Sequence, residues 1–457
     1  MRPTSTKSVL LSAAAMLATV FAPAGSADTP HPLGAAVWVN PGPGGFTSSN
    51  VSYVASIPTG AGVSARVVTV GGQRRLYVSS AHSLVIYDIT NPGLPLPLGA
   101  LPIYNWENED IAVSKDGATT ILTEFESSFY LHVIDTSNPR LPILKGTKLL
   151  DASHTVECAD VHCDYLFAST GETWDIRDRS NPKPLPPSES WGPQVGVASS
   201  HNIHQDAAGY WIADTQPMVM FSAKNPLHPK RITSGDHTID QQYQHNNVRP
   251  AAASYRPRRA GDNSKTLRPG ELLMAETETN FKPQCSGSNG SFTTWSMAGW
   301  DRGQKMRQLH VLRPVNGSPL DGNAEVNALG CSGHWFTVRE NDLGRYKGKY
   351  LVAGGWYEHG TRFLSVDPKT GAISQVGFFQ PVRGSASAAY WIPGTDYVYV
   401  VDYQRGIDIL RFDANAAPPT VAQTNASWLA KLNVFDAVGT TEQYLCQQVM
   451  KQESARP

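Results

Sequence analysis

The chain has 457 residues, a formal net charge of −1 and only 17% charged residues. That balance gives no electrostatic footprint for nucleic acid or an anionic membrane surface, so neither is expected as a partner. Plentiful glycine (39) and proline (33), with 11 tryptophans and 17 tyrosines, favour an all-β chain rich in turns over a helical one.

The N-terminus reads as a secretory signal peptide, residues 1–27. Arg2 and Lys7 supply positive charge, "VLLSAAAMLATVF" is a short apolar run, and "PAGSAD" offers small residues for cleavage after Ala27. No later stretch has the unbroken apolar length of a membrane span. The mature protein is therefore expected to be secreted, with no membrane insertion. Residues 28–63 lead into the fold, and "NVSYVASIPT" near Asn50 is expected to be an extra strand that closes it.

From Ser64 the chain repeats. "LYVSSAHSLVIYDITNPGLPLPLG", "ILTEFESSFYLHVIDTSNPRLPILKG", "YLFASTGETWDIRDRSNPKPLP" and "YWIADTQPMVMFSAKNPLHPKRI" share one plan: apolar strand, polar turn, apolar strand, then Asn-Pro. The Asn-Pro pairs begin at Asn91, Asn138, Asn181 and Asn225, spaced by 47, 43 and 44 residues. Degenerate copies follow at "YLVAGGWYEHGTRFLSVDPKTGAISQVG" and "YVYVVDYQRGIDILRFD". One more is split, with "GELLMAETET" as one strand and "MRQLHVLRP" as the next. Strands closed by such turns at this period predict a seven-bladed β-propeller of four-stranded blades over residues 64–413. A tail, 414–457, starts as a linker and ends in "ASWLAKLNVFDAV", expected to be partly helical.

"LVIYDITNPGLP" and "LHVIDTSNPRLP" resemble the LVIVD repeat of exported bacterial propellers. The resemblance covers nearly all of Ser64 to Phe412 and implies the fold, while the family has no uniform activity.

In a propeller the first strand of each blade lines a central channel. Aligning the repeats on their second strands brings Ala65, Glu109, His154, His201, His245, His334 and Ser387 to one level of it. Four consecutive blades thus offer a histidine, although histidine is only 13 of 457 residues. Neutral imidazoles on rigid strands suit one transition-metal ion, with iron or copper favoured and zinc or manganese possible. Each imidazole's second nitrogen needs an acceptor, for which Glu109, Glu157, Glu276 and Glu278 are candidates. Glu109 is also a candidate general base. A regular strand turns residues i and i+3 to opposite sides, so His204 is expected to be structural or at the entrance beside the axial His201, and His162 likewise.

Four histidines on a seven-bladed axis are similar in architecture to the carotenoid cleavage oxygenases, which hold iron(II) with glutamates behind the ligands. The selenium-binding protein family, with its methanethiol oxidases, is a second such likeness and implies copper. These resemblances imply an oxidase or oxygenase acting on a small-molecule substrate or dioxygen. A metal-dependent lyase and a non-catalytic propeller binding protein or glycan are the other readings.

"CSGHWFTV" and "GGWYEHGTRF" place Trp335, Trp356, Tyr357, His359 and Arg362 as candidate walls of a pocket above the metal. Residues 279–304, Gly/Ser-rich with two tryptophans, are a candidate lid, and the basic run from Arg256 reads as a solvated loop. Cys158 and Cys163 flank a tight turn and are expected to form a disulfide; Cys285 and Cys331 are expected to close the longest insertion, leaving Cys446 over. The rival is a small zinc site of Cys158, Cys163 and His162.

Overall fold

The computed structural model describes residues 45–124, 129–150, 153–236, 244–278, 290–313, 332–381 and 384–419. Among them the strands form seven antiparallel sheets. Blade 1 spans residues 62–102, blade 2 112–149, blade 3 156–184, blade 4 203–234, blade 5 244–312, blade 6 336–381 and blade 7 386–412. The first strands touch one another in cyclic order, with Ala386–Trp391 of blade 7 meeting Gly62–Val70 of blade 1. The architecture is a seven-bladed β-propeller, and the first strands line its axis.

The repeat has a physical reading at both ends. Each sheet is covered on both faces by its neighbours, so inner strands are apolar throughout rather than alternating. Thr119–Thr123 is buried along its whole length, and Tyr397–Asp402 from its second residue on. The Asn-Pro sites form side-chain-supported turns: the Asn138 Oδ1 accepts the Arg140 N–H at 3.1 Å, and the Leu141 N–H donates to the Asn138 carbonyl at 3.0 Å. These turns dock on the preceding blade. A Cβ at Gly99 would collide with the backbone of Pro139 and Arg140, and one at Gly146 with Arg179 and Ser180. The glycine that ends "PLPLG" and "LPILKG" therefore leaves room for the next blade's turn.

The ring closes with the chain's beginning on its end. Val51–Ile57 pairs with Gly406–Phe412 as the fourth strand of blade 7. Gly45–Thr47 adds a fifth strand to blade 6 by pairing with Ile373–Pro381, an addition the repeat does not announce. Blade 5 corrects the sequence reading. Its third strand is Phe292–Ser296, inside the stretch read as a lid, and "MRQLHVLRP" supplies the fourth strand, Arg307–Leu312. Trp295 and Trp300 are buried in the core there (3% and 4% exposed), so the described part of the stretch, 290–304, is blade and not cover. Residues 279–289 lie outside the described residues.

The basic run also departs from a solvated loop at one point. Arg258 is buried and its Nε donates to Glu271 Oε1 at 2.6 Å. Cys158 and Cys163 are bonded to each other, with Cα atoms 4.6 Å apart. Both thiols are thus taken from the rival zinc site, and His162 is exposed, 3.8 Å from Asp116. Cys285, Cys331 and Cys446 lie outside the described residues, as do the signal-peptide region and the tail beyond residue 419. No helix among the described residues is long and apolar enough to cross a membrane.

Candidate metal centre

Two local devices bring side chains onto the axis. In blades 2, 3, 4 and 6 the first strand begins late, at Ala112, Val156, Ile203 and Phe336. Glu109, His154, His201 and His334 sit in the irregular backbone just before those starts, held by hydrogen bonds such as His201 N–H to the Asp214 carbonyl (2.9 Å) and His334 N–H to the Gly355 carbonyl (3.1 Å). In blades 1, 5 and 7 the strand starts earlier but carries a bulge. The register jumps between Gly62 and Ser64, between Gln244 and Asn246, and between Ala386 and Ala388. The extra residues are Val63, His245 and Ser387, and a bulge is a means of re-aiming one side chain out of a ladder. Blade 1 therefore contributes Val63 at this level rather than Ala65, and Ser387 Oγ donates to the Val63 carbonyl at 2.7 Å.

The four imidazoles form a continuous arc. Ring centroids lie 4.7 Å apart for His154 and His201, 3.7 Å for His201 and His245, and 4.4 Å for His245 and His334. All four Nε2 atoms face the Glu109 carboxylate. His201, His245 and His154 lie 3.1, 3.2 and 3.4 Å from Oε2, and His334 lies 3.1 Å from Oε1. His154 Nε2 and His201 Nε2 are 2.8 Å apart. Imidazoles bound at about 2.1 Å to one ion at right angles would have nitrogens about 3 Å apart, so the spacing of His154 and His201 fits a shared cation. Glu109 is thus a member of the cluster itself rather than a partner behind the ligands, and the donor set includes a carboxylate as well as imidazoles.

Behind the arc, His334 Nδ1 lies 2.8 Å from the Ser387 carbonyl, so the ring donates there and turns Nε2 towards Glu109. His245 Nδ1 lies 2.9 Å from Glu276 Oε1. Gly333 permits this approach, since a Cβ on it would come 2.5 Å from Glu276 Oε2. Glu278 Oε2 stands 3.5 Å from His245 Nε2, and the Tyr357 hydroxyl donates to Glu278 Oε1.

Burial sets the charges. It lowers His201 to about 4 against the pull of Glu109, and it lowers His245 strongly, helped by His201 and His334. It would lower His334 too, but the Glu109 charge outweighs it and raises that ring. Burial alone would raise Glu109, yet the charges of His334 and His154 and the hydrogen bonds of His154 and His201 hold it well below the usual carboxylate range. Glu276 is pushed far up by burial and by Glu278, and Glu278 to about 7 by burial against His334. The centre is an anionic carboxylate facing imidazoles two of which resist protonation. Such nitrogen–oxygen contacts attract only with a proton or a cation between them, and the group can hold a metal ion.

A second polar level lies along the same channel. Arg66 pairs with Asp110 at 2.8 Å and with Glu157, while Asn202 Nδ2 donates to Asp110 Oδ2 (3.3 Å) and lies 3.0 Å from His204 Nε2. His204 therefore joins this axial network. Strand alternation does not govern the pair, because the strand starts only at Ile203 and leaves His201 outside the regular geometry. Glu157 belongs here with Arg66 and not behind a histidine of the arc. The indole of Trp335 touches both levels, edge-on to His204 (5.3 Å) and to His245 (6.2 Å).

Of the remaining pocket candidates, Tyr357 reaches the centre, with its ring 4.8 Å from His334. Trp356 packs in the apolar cluster of Phe292, Phe336 and Leu364 between blades 5 and 6, a core role. His359 is fully buried in the turn after Trp356, its N–H bonded to the Trp356 carbonyl (2.8 Å). Arg362 lies over Phe378 (5.7 Å) and reaches Gln380 Oε1 at 3.3 Å. The pairing of Tyr357 with Glu278 and the placement of Glu276 carry no sequence motif; "ETE" in a strand shows only that Glu276 and Glu278 share a face.

The LVIVD repeat profile matches residues 127–149, which hold the third and fourth strands of blade 2. No curated protein matches the sequence. Among solved structures, the chain is similar to the β-propeller domain of Cps50 (Swd1) from Myceliophteria thermophila, with 12% identity, a TM-score of 0.51, and coverage of 79% of this chain and 99% of that one. At that identity the likeness concerns the fold alone. What the chain is similar to is thus a propeller with an LVIVD repeat, and what distinguishes it is a buried His/Glu group on the axis that can hold a metal ion.

Proposed function

We propose that the axial group holds one transition-metal ion and that the protein is an exported metalloenzyme, an oxidase or oxygenase of a small-molecule substrate. The observation that carries this reading is the convergence of four Nε2 atoms on one carboxylate, all within 3.1–3.4 Å. His154, His201, His245 and His334 would hold the ion, with Glu109 as the anionic ligand. Iron or copper fits a nitrogen-rich set with one carboxylate, and either supplies one-electron chemistry toward dioxygen when bound. Export rests on the charged, apolar and small-residue order of residues 1–27.

The chain's own residues have separable tasks. The Ser387 carbonyl fixes the His334 ring from behind, and Glu276 Oε1 stands 2.9 Å behind His245 Nδ1. Tyr357 keeps its hydroxyl on Glu278 beside the arc, where a proton can be held near the ion. Trp335 packs against His245 and excludes water from that side. His154, 16% exposed in its side chain against 0% for His245, marks the more open side of the arc and hence the side of substrate approach.

The test is oxygen uptake by purified protein loaded with iron(II) or copper(II), in the presence of a panel of small reductants and unsaturated compounds. Uptake that needs the metal and vanishes in His201→Ala supports the reading. Stoichiometric metal with no uptake and no turnover would contradict the catalytic part and leave a metal-bearing binding module.

A further inference from the structure

Three aromatic side chains lead away from the last ring of the arc. The His334 ring stands 4.8 Å from Tyr357 and 6.2 Å from Tyr403, Tyr357 stacks on Tyr403 at 6.2 Å and 19°, and Tyr403 stands 5.6 Å from Trp106. Trp106, Tyr357 and Tyr403 belong to one buried apolar cluster with Val63 and Ala81. Trp106 is itself 7% exposed, against 0% for Tyr357, so this end of the group is the nearer to solvent.

Tyr357 is held there at a conformational cost. Its φ is +43°, a region that side-chain-bearing residues avoid. Three backbone hydrogen bonds enforce it: Tyr357 N–H to the Ala386 carbonyl (3.1 Å), Ala386 N–H to the Tyr357 carbonyl (2.9 Å) and Gly360 N–H to the same carbonyl (2.9 Å). The consequence is a ring against both His334 and Tyr403 with its hydroxyl on a carboxylate. A phenol gives up an electron readily only if its proton has somewhere to go, and Glu278 accepts that hydrogen bond.

Resting on the metal reading above, we infer that Tyr357, Tyr403 and Trp106 are a one-electron relay between the axial ion and the protein surface, with Glu278 as the proton partner of Tyr357. With hydrogen peroxide as oxidant the step balances. An iron(II) ion held by the arc would supply one electron and Tyr357 the second, so that the O–O bond would break and two solvent protons would complete two waters. The phenolic proton moves to Glu278 and leaves a tyrosyl radical. An electron from Trp106 passing over the Tyr403 ring then restores Tyr357, which takes its proton back, and leaves the Trp106 radical cation. The ion can thereby exchange single electrons with a partner that never enters the channel.

The experiment is freeze-quench electron paramagnetic resonance of iron(II)-loaded protein mixed with hydrogen peroxide, with iron content measured on every sample. Wild type is expected to give a tryptophan radical whose spectrum narrows with ring-deuterated tryptophan. Trp106→Phe should move the radical to tyrosine, narrowing with ring-deuterated tyrosine instead. Tyr357→Phe and Tyr403→Phe should each cut the tryptophan radical severalfold at unchanged iron content. A tryptophan radical at wild-type yield in Tyr357→Phe, or no protein radical while iron is bound and peroxide is consumed, overturns the relay. A chain that binds no iron overturns the metal reading and the relay together.

Discussion

Two levels of one channel handle buried acid groups in opposite ways. At the level of Arg66, Asp110 and Glu157 share one guanidinium, and burial pushes Asp110 up to about 8, so that one cation faces one carboxylate charge. At the arc, Glu109 meets four imidazoles, and burial biases His201 and His245 to their neutral form. A permanent cation makes the first level a structural pin. The second is built from groups whose attraction depends on what lies between them. Residues three apart feed both levels from the same blades, His154 with Glu157 and His201 with His204, so the difference comes from side-chain chemistry and not from the scaffold.

The comparison breaks most visibly at the arc. His245→Ala is expected to lower metal affinity by more than about 100-fold, beyond the loss caused by removing an outer partner. Equilibrium titration with iron(II) or copper(II) reads it, and retention of wild-type affinity would remove His245 from the site. Arg66→Met attacks the other level. It strands Asp110 and Glu157 without their cation and should destabilise the fold by about 3 kcal/mol, softened by the 30% exposure of the Arg66 side chain, while leaving a stoichiometric metal bound. Urea denaturation and metal analysis of that variant separate the two levels directly; loss of metal with little loss of stability would show that they are one network.

Gly333→Ala sharpens the comparison. Its Cβ would meet Glu276 Oε2 at 2.5 Å and displace the carboxylate from His245 Nδ1, so affinity should fall about tenfold with the propeller intact. A pH-dependent effect concerns a histidine far from either level. Burial lowers His132 from 6.5 to about 4, so the folded state resists a proton that the unfolded chain accepts. Its contribution is complete above pH 6.5 and is lost as pH falls from there to about 4. His132→Gln should flatten the fall of metal-free stability in that window by up to about 1.4 kcal/mol per pH unit, measured by denaturation at stepped pH.

The Asn-Pro period made the propeller legible over four blades, because each turn is a local structure that also docks on the previous blade at Gly99 and Gly146, and the degenerate and split copies completed the count of seven. The arc was legible for a related reason: the level of a residue in the channel follows from its distance to the second strand. Counting could not reveal the backbone irregularities. Val63 in place of Ala65 follows from a bulge, and His204 beside His201 from a strand that starts late. Blade 5 hid its third strand because an insertion breaks the spacing ahead of Phe292. Glu109 was placed at the right level but read as a neighbour of the ligands, since sequence gives no side-chain reach across a ring. Glu276 was a candidate acceptor from the sequence, and it stands behind His245 on the neighbouring strand of blade 5, whereas Tyr357 with Glu278 depends on a contact between blades 5 and 6 that no local pattern encodes.

The central claim is that the arc and Glu109 form one cation site. Its most direct test is metal content by elemental analysis of purified wild type, His154→Ala, His245→Ala and Glu109→Gln, each after reconstitution with iron(II), copper(II), zinc(II) and manganese(II) in turn. The account predicts one ion per wild-type chain, lost in both histidine variants and weakened in Glu109→Gln. Wild type that takes up none of the four metals, or variants that bind them as wild type does, would contradict it.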